Sequence, residues 1–397
     1  MRSYRLTSVW GIPIRINISL IVFLPILAWL IGSGQQIAVY AGIIDRLAGS
    51  TLDVAILRQG ATPWLIGAVA ALGLFVSVTI HELGHSWVAR RYGLTIESIT
   101  LWIFGGVASM RSMPREWDRE FWIAIAGPIT SVLLGVVCYI LMQIIPASLP
   151  IVLFVVGWLA VVNVTLAVFN LVPAFPMDGG RVFRALLART RPYGQATRIA
   201  ARVGVFFALL FAVIGVFSFN VVLLLVALFI YGAATSESRT TTLEDLLAGL
   251  TVADVMRPDS HTISATSTVA EFVDQMLANR RSEFGVTDET GATVGIVSLQ
   301  HLKDVGERNR ATTPVADVMA EEPPTVQATA DAFDALVELG NTKTSYALVE
   351  EEGAIVGLLS QADYASALEL RRGIGTVAER DQSLPMTGTG DVSASGR

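Results

Sequence analysis

The 397-residue chain has very little cysteine, histidine and charge. Cys138 is its single cysteine and lies in an apolar run, so an intrachain disulfide and a cysteine-ligated zinc site are both excluded. Charged residues make up only 16% of the chain and hydrophobic residues 53%, with a mean hydropathy of +0.58. The net charge of −6 gives no reason to expect a nucleic acid partner. This composition is typical of a protein that lies largely in a membrane.

The apolar segments are concentrated before about Thr235, and the remainder has the composition of an acidic soluble domain. Arginines cluster before the first apolar segment and in every second loop after it. The positive-inside rule therefore predicts a multi-pass protein of the cell membrane with both termini in the cytoplasm. The six predicted spans cover about residues 16–33, 63–89, 121–145, 151–172, 202–218 and 221–236.

His81, Glu82 and His85 form the pattern His-Glu-x-x-His in the second predicted span. On a helix, residues four positions apart share one face, so both imidazoles can bind a single metal ion. Glu82 can then take a proton from a water on that ion. Two histidines on a helix are more often surface residues, but ionisable side chains at membrane depth are costly and usually functional. We therefore predict a metal site here.

The third metal ligand is predicted to be a carboxylate, because the two remaining histidines, His261 and His301, belong to the soluble part. Asp178 stands out, since it is the only acidic residue in the stretch 121–236 and follows a proline-rich break in the chain. A helix N-cap is the alternative role for Asp178. Other carboxylates that could serve are Glu97, Glu116, Asp118 and Glu120.

Residues 94–110 alternate in part, are rich in β-branched and aromatic side chains, and contain Gly105-Gly106. This pattern predicts a β-hairpin beside the metal site. Such a hairpin could add an extended peptide to its edge as a further strand. A plain cytoplasmic loop is the alternative.

These motifs together resemble the site-2 protease family of intramembrane zinc metalloproteases. The resemblance covers about residues 10–235 and rests on two motifs, His81-Glu82-Leu83-Gly84-His85 and Asn170-x-x-Pro173 followed by Asp178-Gly179. It implies one zinc ion per chain, held by His81, His85 and Asp178, with Glu82 as general base. It also implies that Asn170 stabilises the oxyanion and that the substrate is a membrane-spanning protein. The orientation predicted from the arginines places the metal site, and therefore the cleavage, near the cytoplasmic face.

The soluble part contains a repeat of about sixty residues, since Val252-Ala-Asp-Val-Met256 returns as Val315-Ala-Asp-Val-Met319. The repeat resembles a tandem pair of CBS domains. That resemblance implies an adenosine-containing ligand, bound in the second repeat by Gly357, Ser360 and Asp363. The first repeat departs from the pattern, with His301 where the aspartate is expected. The alternative is a structural pair that packs against the membrane part or joins two chains into a homodimer.

The predicted fold class is thus a polytopic α-helical membrane protein with about six transmembrane helices and a membrane-associated β-hairpin, followed by a C-terminal α+β tandem CBS domain. A CBS-regulated transporter or channel is the competing functional hypothesis, but it makes no use of the two metal motifs. The predicted boundaries are a membrane protease domain at 1–236, a linker at 237–250, CBS repeats at 251–308 and 314–372, and a disordered tail at 373–397.

Overall fold

The structure of the chain is a computed structural model that describes residues 3–49, 52–103, 105–110, 114–258, 261–321, 323–341 and 346–369. The predicted disordered tail lies outside these residues. The chain divides into two compact units, Met1–Thr241 and Thr242–Arg397. The division falls inside the last long helix, so the segment predicted as a linker is helical as far as Leu247.

The first unit begins with a β-hairpin that the sequence did not predict. Its strands are β1 (Ser3–Val9) and β2 (Ile12–Asn17). Asn17 then caps the first helix, because its side-chain oxygen accepts a hydrogen bond from the backbone N–H of Ser19 at 3.0 Å. Helix α1 (Ile18–Gly32) is followed by α2 (Gly34–Ala48) and the short α3 (Val54–Leu57).

The predicted first span, about 16–33, corresponds to helix α1, and the chain bends directly after it. Helices α1 and α2 are bent by 64° at their junction, so they form either one broken span or a re-entrant pair. The five other long apolar helices are α4 (Thr62–Arg91), α5 (Trp117–Ile144), α6 (Pro150–Asn170), α8 (Tyr193–Phe217) and α9 (Val221–Leu247). The described residues thus contain five or six candidate spans, in agreement with the predicted number.

Two further elements lie between these helices, one after α4 and one after α6. The predicted hairpin is present as β3 (Ile96–Trp102) and β4 (Gly105–Met110), which pair antiparallel. A short amphipathic helix, α7 (Asp178–Ala188), follows the proline-rich break, where the sequence suggested a helix only through the alternative N-cap role of Asp178. Strands β1 to β4 form one sheet in that order, with β2 parallel to β3 and β4 at the edge.

Close helix contacts hold the first unit together. A Cβ atom on Gly67 of α4 would lie 1.9 Å from the carbonyl oxygen of Ala28, so glycine is required where α1 and α4 meet. Buried residues of α2, α4 and α6, among them Ile44, Ile66 and Phe154, form the largest apolar cluster. Many apolar side chains on the outside of the long helices are exposed, as expected for surfaces that face lipid.

The second unit contains two equivalent three-stranded sheets. Its elements in chain order are α10 (Val252–Val255), β5 (Thr262–Ser264), α11 (Val269–Asn279), β6 (Glu283–Thr287), β7 (Thr293–Ser298), β8 (Thr325–Gln327), α12 (Ala332–Asn341), β9 (Tyr346–Glu351) and β10 (Ala354–Ser360). In each sheet the first strand is parallel to the second, and the second is antiparallel to the third.

The repeated Val-Ala-Asp-Val-Met segments are exchanged between the two sheets. Val252 and Val255 are buried in the core of the second sheet, and Arg257 pairs with Leu358 of β10. Conversely, Val315 is buried in the core of the first sheet, and Ala320 pairs with Ile296 of β7. Each repeat in the sequence therefore completes the core of the other.

Candidate metal centre

Helix α4 brings His81 and His85 together in the interior of the first unit. The two residues are 4% and 5% exposed, and their Nε2 atoms lie 3.2 Å apart. This is the arrangement that the four-residue spacing predicted, because one turn of helix separates the two side chains.

Both imidazole rings are held from behind by helix α5. The Nδ1 atom of His85 lies 2.6 Å from the carbonyl oxygen of Ile123, and that of His81 lies 2.8 Å from the Ser131 hydroxyl. A carbonyl oxygen only accepts, so the hydrogen of neutral His85 is on Nδ1 and its Nε2 has a free lone pair. Partners of this kind fix the orientation of metal-binding histidines.

Asp178 faces the two histidines from the first residue of helix α7. Its Oδ2 atom lies 3.1 Å from Nε2 of His81 and 3.2 Å from Nε2 of His85, and the residue is 8% exposed. No side-chain hydrogen bond caps helix α7, so the alternative role of Asp178 as an N-cap is not supported. The chain reaches this point through a tight turn that contains Pro173 and a cis bond before Pro176.

The other carboxylates lie elsewhere. Among the described residues, His81, His85 and Asp178 form the group of three potential ligands whose donor atoms lie within 4.8 Å of one another. Glu97 and Asp118 are exposed, and Glu116 forms a surface pair with Arg119. Glu120 is buried but bonded to Arg184, at 2.5 Å from Nη2. None of these four carboxylates therefore lies with His81 and His85 as a third metal ligand.

The geometry of the three residues fits a cation. With neutral rings and an ionised carboxylate, three lone pairs converge within 3.2 Å of one another. Such a set of acceptors is unfavourable unless a proton or a metal ion lies between them. Two imidazole nitrogens and one carboxylate also form a ligand set typical of catalytic zinc. A Cβ atom on Gly127 would lie 2.2 Å from Nε2 of His85, so this glycine leaves room for the site.

A cleft of about 300 Å³ opens from this centre. Glu82 and Asn170, the two further residues predicted to act in catalysis, both line it. Strand β4 passes directly over Glu82, because a Cβ atom on Gly106 would lie 2.4 Å from Cγ of Glu82. The remaining walls are largely apolar and include Val78, Trp102, Leu166, Phe169, Val226 and Phe229.

A buried arginine supports the helix that carries Asp178, and the sequence pattern gave no signal for it. Arg184 of α7 is 1% exposed. Its guanidinium contacts Glu120 of α5 at 2.5 Å and Glu237 of α9 at 2.6 Å. It also lies over the rings of Phe175 and Tyr193, at 5.0 and 4.8 Å from their centroids. These contacts link α7 to α5, α8 and α9 next to the metal centre.

The residues predicted to bind an adenosyl ligand are grouped in the second unit. The carboxylate of Asp363 accepts hydrogen bonds from the Ser360 backbone N–H and hydroxyl, both at 2.7 Å. Arg257 contacts the same carboxylate at 2.6 Å. Gly357 lies nearby on β10, where a Cβ atom would lie 2.7 Å from the Arg257 carbonyl oxygen.

In the first repeat, His301 accepts the backbone hydrogen bond that Asp363 accepts in the second repeat. Its Nδ1 atom accepts a hydrogen bond from the backbone N–H of Ser298 at 3.1 Å. Its Nε2 atom lies 3.1 Å from the hydroxyl of Tyr346, which belongs to the other repeat. Burial lowers the pKa of His301 below its ordinary value. The departure in the first repeat therefore has a structural function.

Comparison with known proteins adds to this geometry. The chain is 34% identical over 373 residues to the zinc metalloprotease MJ0392 of Methanocaldococcus jannaschii, which covers 93% of this chain and 96% of that protein. The model of peptidase family M50 matches residues 69–152 and 145–211. This chain belongs to the M50 peptidases. It is therefore a membrane zinc metalloprotease, and the competing transporter hypothesis receives no support.

Two further proteins are similar to this chain. Rip3 of Mycobacterium tuberculosis is 37% identical over 330 residues, which cover 78% of this chain and 82% of Rip3. The solved site-2 protease from Methanocaldococcus jannaschii is 38% identical, with a TM-score of 0.41, and covers 60% of this chain and 95% of its own. The CBS domain model matches residues 252–307 and 315–370, so this M50 peptidase has a tandem CBS pair.

Proposed function

We propose that this M50 peptidase is an intramembrane endopeptidase whose zinc ion is held by His81, His85 and Asp178. The convergence of their three ligand atoms at 3.1–3.2 Å in a buried site carries the proposal. When bound, zinc makes a water more acidic and polarises the carbonyl group of a peptide bond.

Glu82 is proposed as the general base, and Asn170 as a donor to the developing oxyanion. The Glu82 carboxylate takes a proton from the attacking water and passes it to the leaving amine nitrogen. The side-chain amide of Asn170 donates to the carbonyl oxygen as its negative charge grows. Asn170 is the last residue of α6 and Asp178 the first of α7, so one short turn positions both at the cleft.

The proposed substrate is a membrane-spanning protein that binds in extended form along β4. Within the described strands, β4 is an edge strand of its sheet, and Gly105, Gly106 and Ala108 of this strand line the cleft. An extended peptide can therefore pair with β4 while its side chains meet the apolar walls. Because a helix has its backbone groups bonded internally, the substrate must unwind locally before it is cleaved.

The metal centre is proposed to lie near the cytoplasmic face, with both termini and the CBS pair on that side. Helix α4 ends in Arg90 and Arg91, and the arginine-rich loops predicted from the sequence adjoin it. His85 is roughly 8 Å from this end at 1.5 Å per residue. An adenosyl ligand and a homodimer formed through the CBS pair stay predictions.

The function is tested with the purified chain, a single-span substrate protein in vesicles, and metal analysis. Glu82→Gln is expected to keep about one zinc ion per chain and to abolish cleavage. His85→Ala and Asp178→Ala are expected to abolish both. Glu116→Gln is the matched control, because Glu116 is exposed and outside the centre, and it is expected to behave as wild type. Full cleavage by Glu82→Gln protein would end this proposal.

A further inference from the structure

A concave site at the end of α4 is separate from the metal centre. It is a shallow, open depression of about 550 Å³ lined by Trp10, Trp87, Arg90 and Arg91. All four residues are exposed. We propose that this site binds the phosphate-containing headgroup of an anionic membrane phospholipid.

Both arginines are held in place by the tryptophans of the same site. Arg90 donates a hydrogen bond from Nη1 to the carbonyl oxygen of Trp10 at 2.8 Å. The guanidinium of Arg91 lies 4.0 Å from the ring centroid of Trp87, a cation–π contact. Within the described part of the chain, neither arginine forms an ion pair with a carboxylate. Two oriented guanidinium groups thus remain available for an anion.

The arginines are not required to cap α4. The last carbonyl groups of this helix already accept hydrogen bonds from the backbone N–H groups of Tyr92, Gly93 and Leu94, at 3.0–3.3 Å. The side-chain donors of Arg90 and Arg91 are therefore not used by the helix end, although its dipole favours positive charge there.

The position of the site along α4 favours a lipid over a soluble anion. Trp64 and Trp87, both exposed, are separated by about 35 Å at 1.5 Å per residue, close to the thickness of the hydrocarbon core. Tryptophans prefer the two membrane interfaces, so Trp87 marks one of them. Arg90 and Arg91 follow within about one turn and therefore lie at the depth of the headgroups.

Trp10 has a backbone conformation that is unfavourable for a bulky residue, which supports a binding role for its side chain. It lies at the tip of the first hairpin with φ +52°, followed by Gly11 with φ +82°, as a two-residue turn of type I′ requires. Asparagine or glycine is preferred at this position, and a bulky residue there is strained. Trp10 is nevertheless 57% exposed. A membrane interface would cover this ring and offset the strain.

Lipid binding can be measured by native mass spectrometry of the full chain in detergent with equal amounts of phosphatidylcholine and phosphatidylglycerol. Wild type is expected to retain phosphatidylglycerol preferentially, and Arg90→Ala/Arg91→Ala to reduce that preference about tenfold. Arg198→Ala/Arg202→Ala removes the same charge from exposed positions of α8 and is expected to keep the preference. Equal loss in both double variants, or no loss in the first, would overturn the proposal.

Two further experiments identify the ligand and test the role of the Trp10 side chain. Inorganic phosphate at millimolar concentration is expected not to displace the lipid, and displacement would show that the site takes a soluble anion instead. Trp10→Asn introduces a residue that the type I′ turn prefers, so the hairpin is expected to form as before. Retention of phosphatidylglycerol is expected to fall in this variant. Unchanged retention would show that Trp10 has no part in lipid binding and would contradict the proposed site.

Discussion

At the scale of single residues, Gly127 limits what the metal centre can hold. A Cβ atom there would lie 2.2 Å from Nε2 of His85 and 2.6 Å from Nε2 of His81, so either the two imidazoles or helix α5 would have to move. We therefore expect Gly127→Ala to lower zinc affinity at least tenfold and to abolish cleavage. Gly232→Ala is the matched control, because a Cβ atom on that helical glycine meets nothing within 4 Å.

Zinc content after dialysis against a weak chelator measures this effect directly. The control variant is expected to retain its metal like wild type. Normal zinc retention in Gly127→Ala protein would show that the two imidazoles do not bind the metal in the positions described.

The predictability of this site differs from residue to residue. The pairing of His81 with His85 follows from helical periodicity alone, and it was predicted from the sequence. Their Nδ1 partners, Ser131 and Ile123, could not be predicted, because they are separated from the histidines by 50 and 38 positions along the chain. A serine and a backbone carbonyl group also cannot be recognised as histidine partners from a sequence motif. Such partners are determined by how α5 packs against α4.

His301 makes part of the second unit sensitive to pH. Its Nδ1 accepts the Ser298 N–H, which requires a ring without a proton on that atom. Burial lowers its pKa in the folded state, so the unfolded chain takes up a proton first as the pH falls. Local stability is therefore expected to decrease below about pH 6.5, the ordinary pKa of histidine.

Hydrogen exchange of the full chain, corrected for intrinsic rates, tests this at pH 5 and pH 7.5. The peptide covering β7 is expected to lose protection at the lower pH. His301→Asp, which introduces the residue found at the equivalent position in the second repeat, is expected to reduce that difference. Equal pH dependence in both proteins would assign the effect to another group.

At the scale of whole elements, α7 is held by charge as well as by packing. Arg184 and Glu120 are both buried, so removing the carboxylate leaves a guanidinium with less compensation in a low-dielectric site. Glu120→Ala is expected to destabilise the first unit by about 3–5 kcal/mol. Because α7 begins with Asp178, zinc affinity is expected to fall as well.

Glu116→Ala is the matched control for this prediction. Glu116 precedes the same helix α5, but its pair with Arg119 is solvent-exposed and is expected to contribute less than about 1 kcal/mol. Thermal unfolding in detergent and zinc titration are the measurements. The Glu120→Ala protein could be destabilised and still bind zinc as wild type does. That result would show that the contact between Glu120 and Arg184 stabilises α7 but is not needed to position Asp178.

The elements that sequence reasoning missed share a physical cause. The first hairpin was assigned to a basic segment before a span, because Arg5 and Arg15 precede the first apolar run. In the structure these two residues are paired across β1 and β2. Helix α7 follows two prolines and has Gly179 and Gly180 in its first turn, and both residue types favour a loop by local propensity. In both places the contacts that decide the structure come from distant parts of the chain, namely from β3 and from Glu120.

At the scale of the whole molecule, the CBS pair is a single interlocked body. Periodicity correctly predicted two repeats, but it could not predict that Val252–Met256 and Val315–Met319 are exchanged, because identical segments fit either core. An intact second unit therefore requires both repeats. Deleting one of them would remove part of the core of the other.

Nucleotide control of proteolysis is the remaining prediction at this scale. Asp363 is 7% exposed and is already bonded to Ser360 and Arg257, so an adenosyl ligand that uses its carboxylate must share or replace one of these contacts. A ligand changes activity only as far as its affinity differs between two arrangements of the protein. Asp363→Ala is therefore expected to weaken nucleotide binding and to flatten any nucleotide dependence of cleavage, with zinc content unchanged. Asp274→Ala, an exposed aspartate of α11, is the control. Calorimetry that detects no adenosyl ligand on the wild-type chain would leave the CBS pair a structural or dimerising module and refute this form of control.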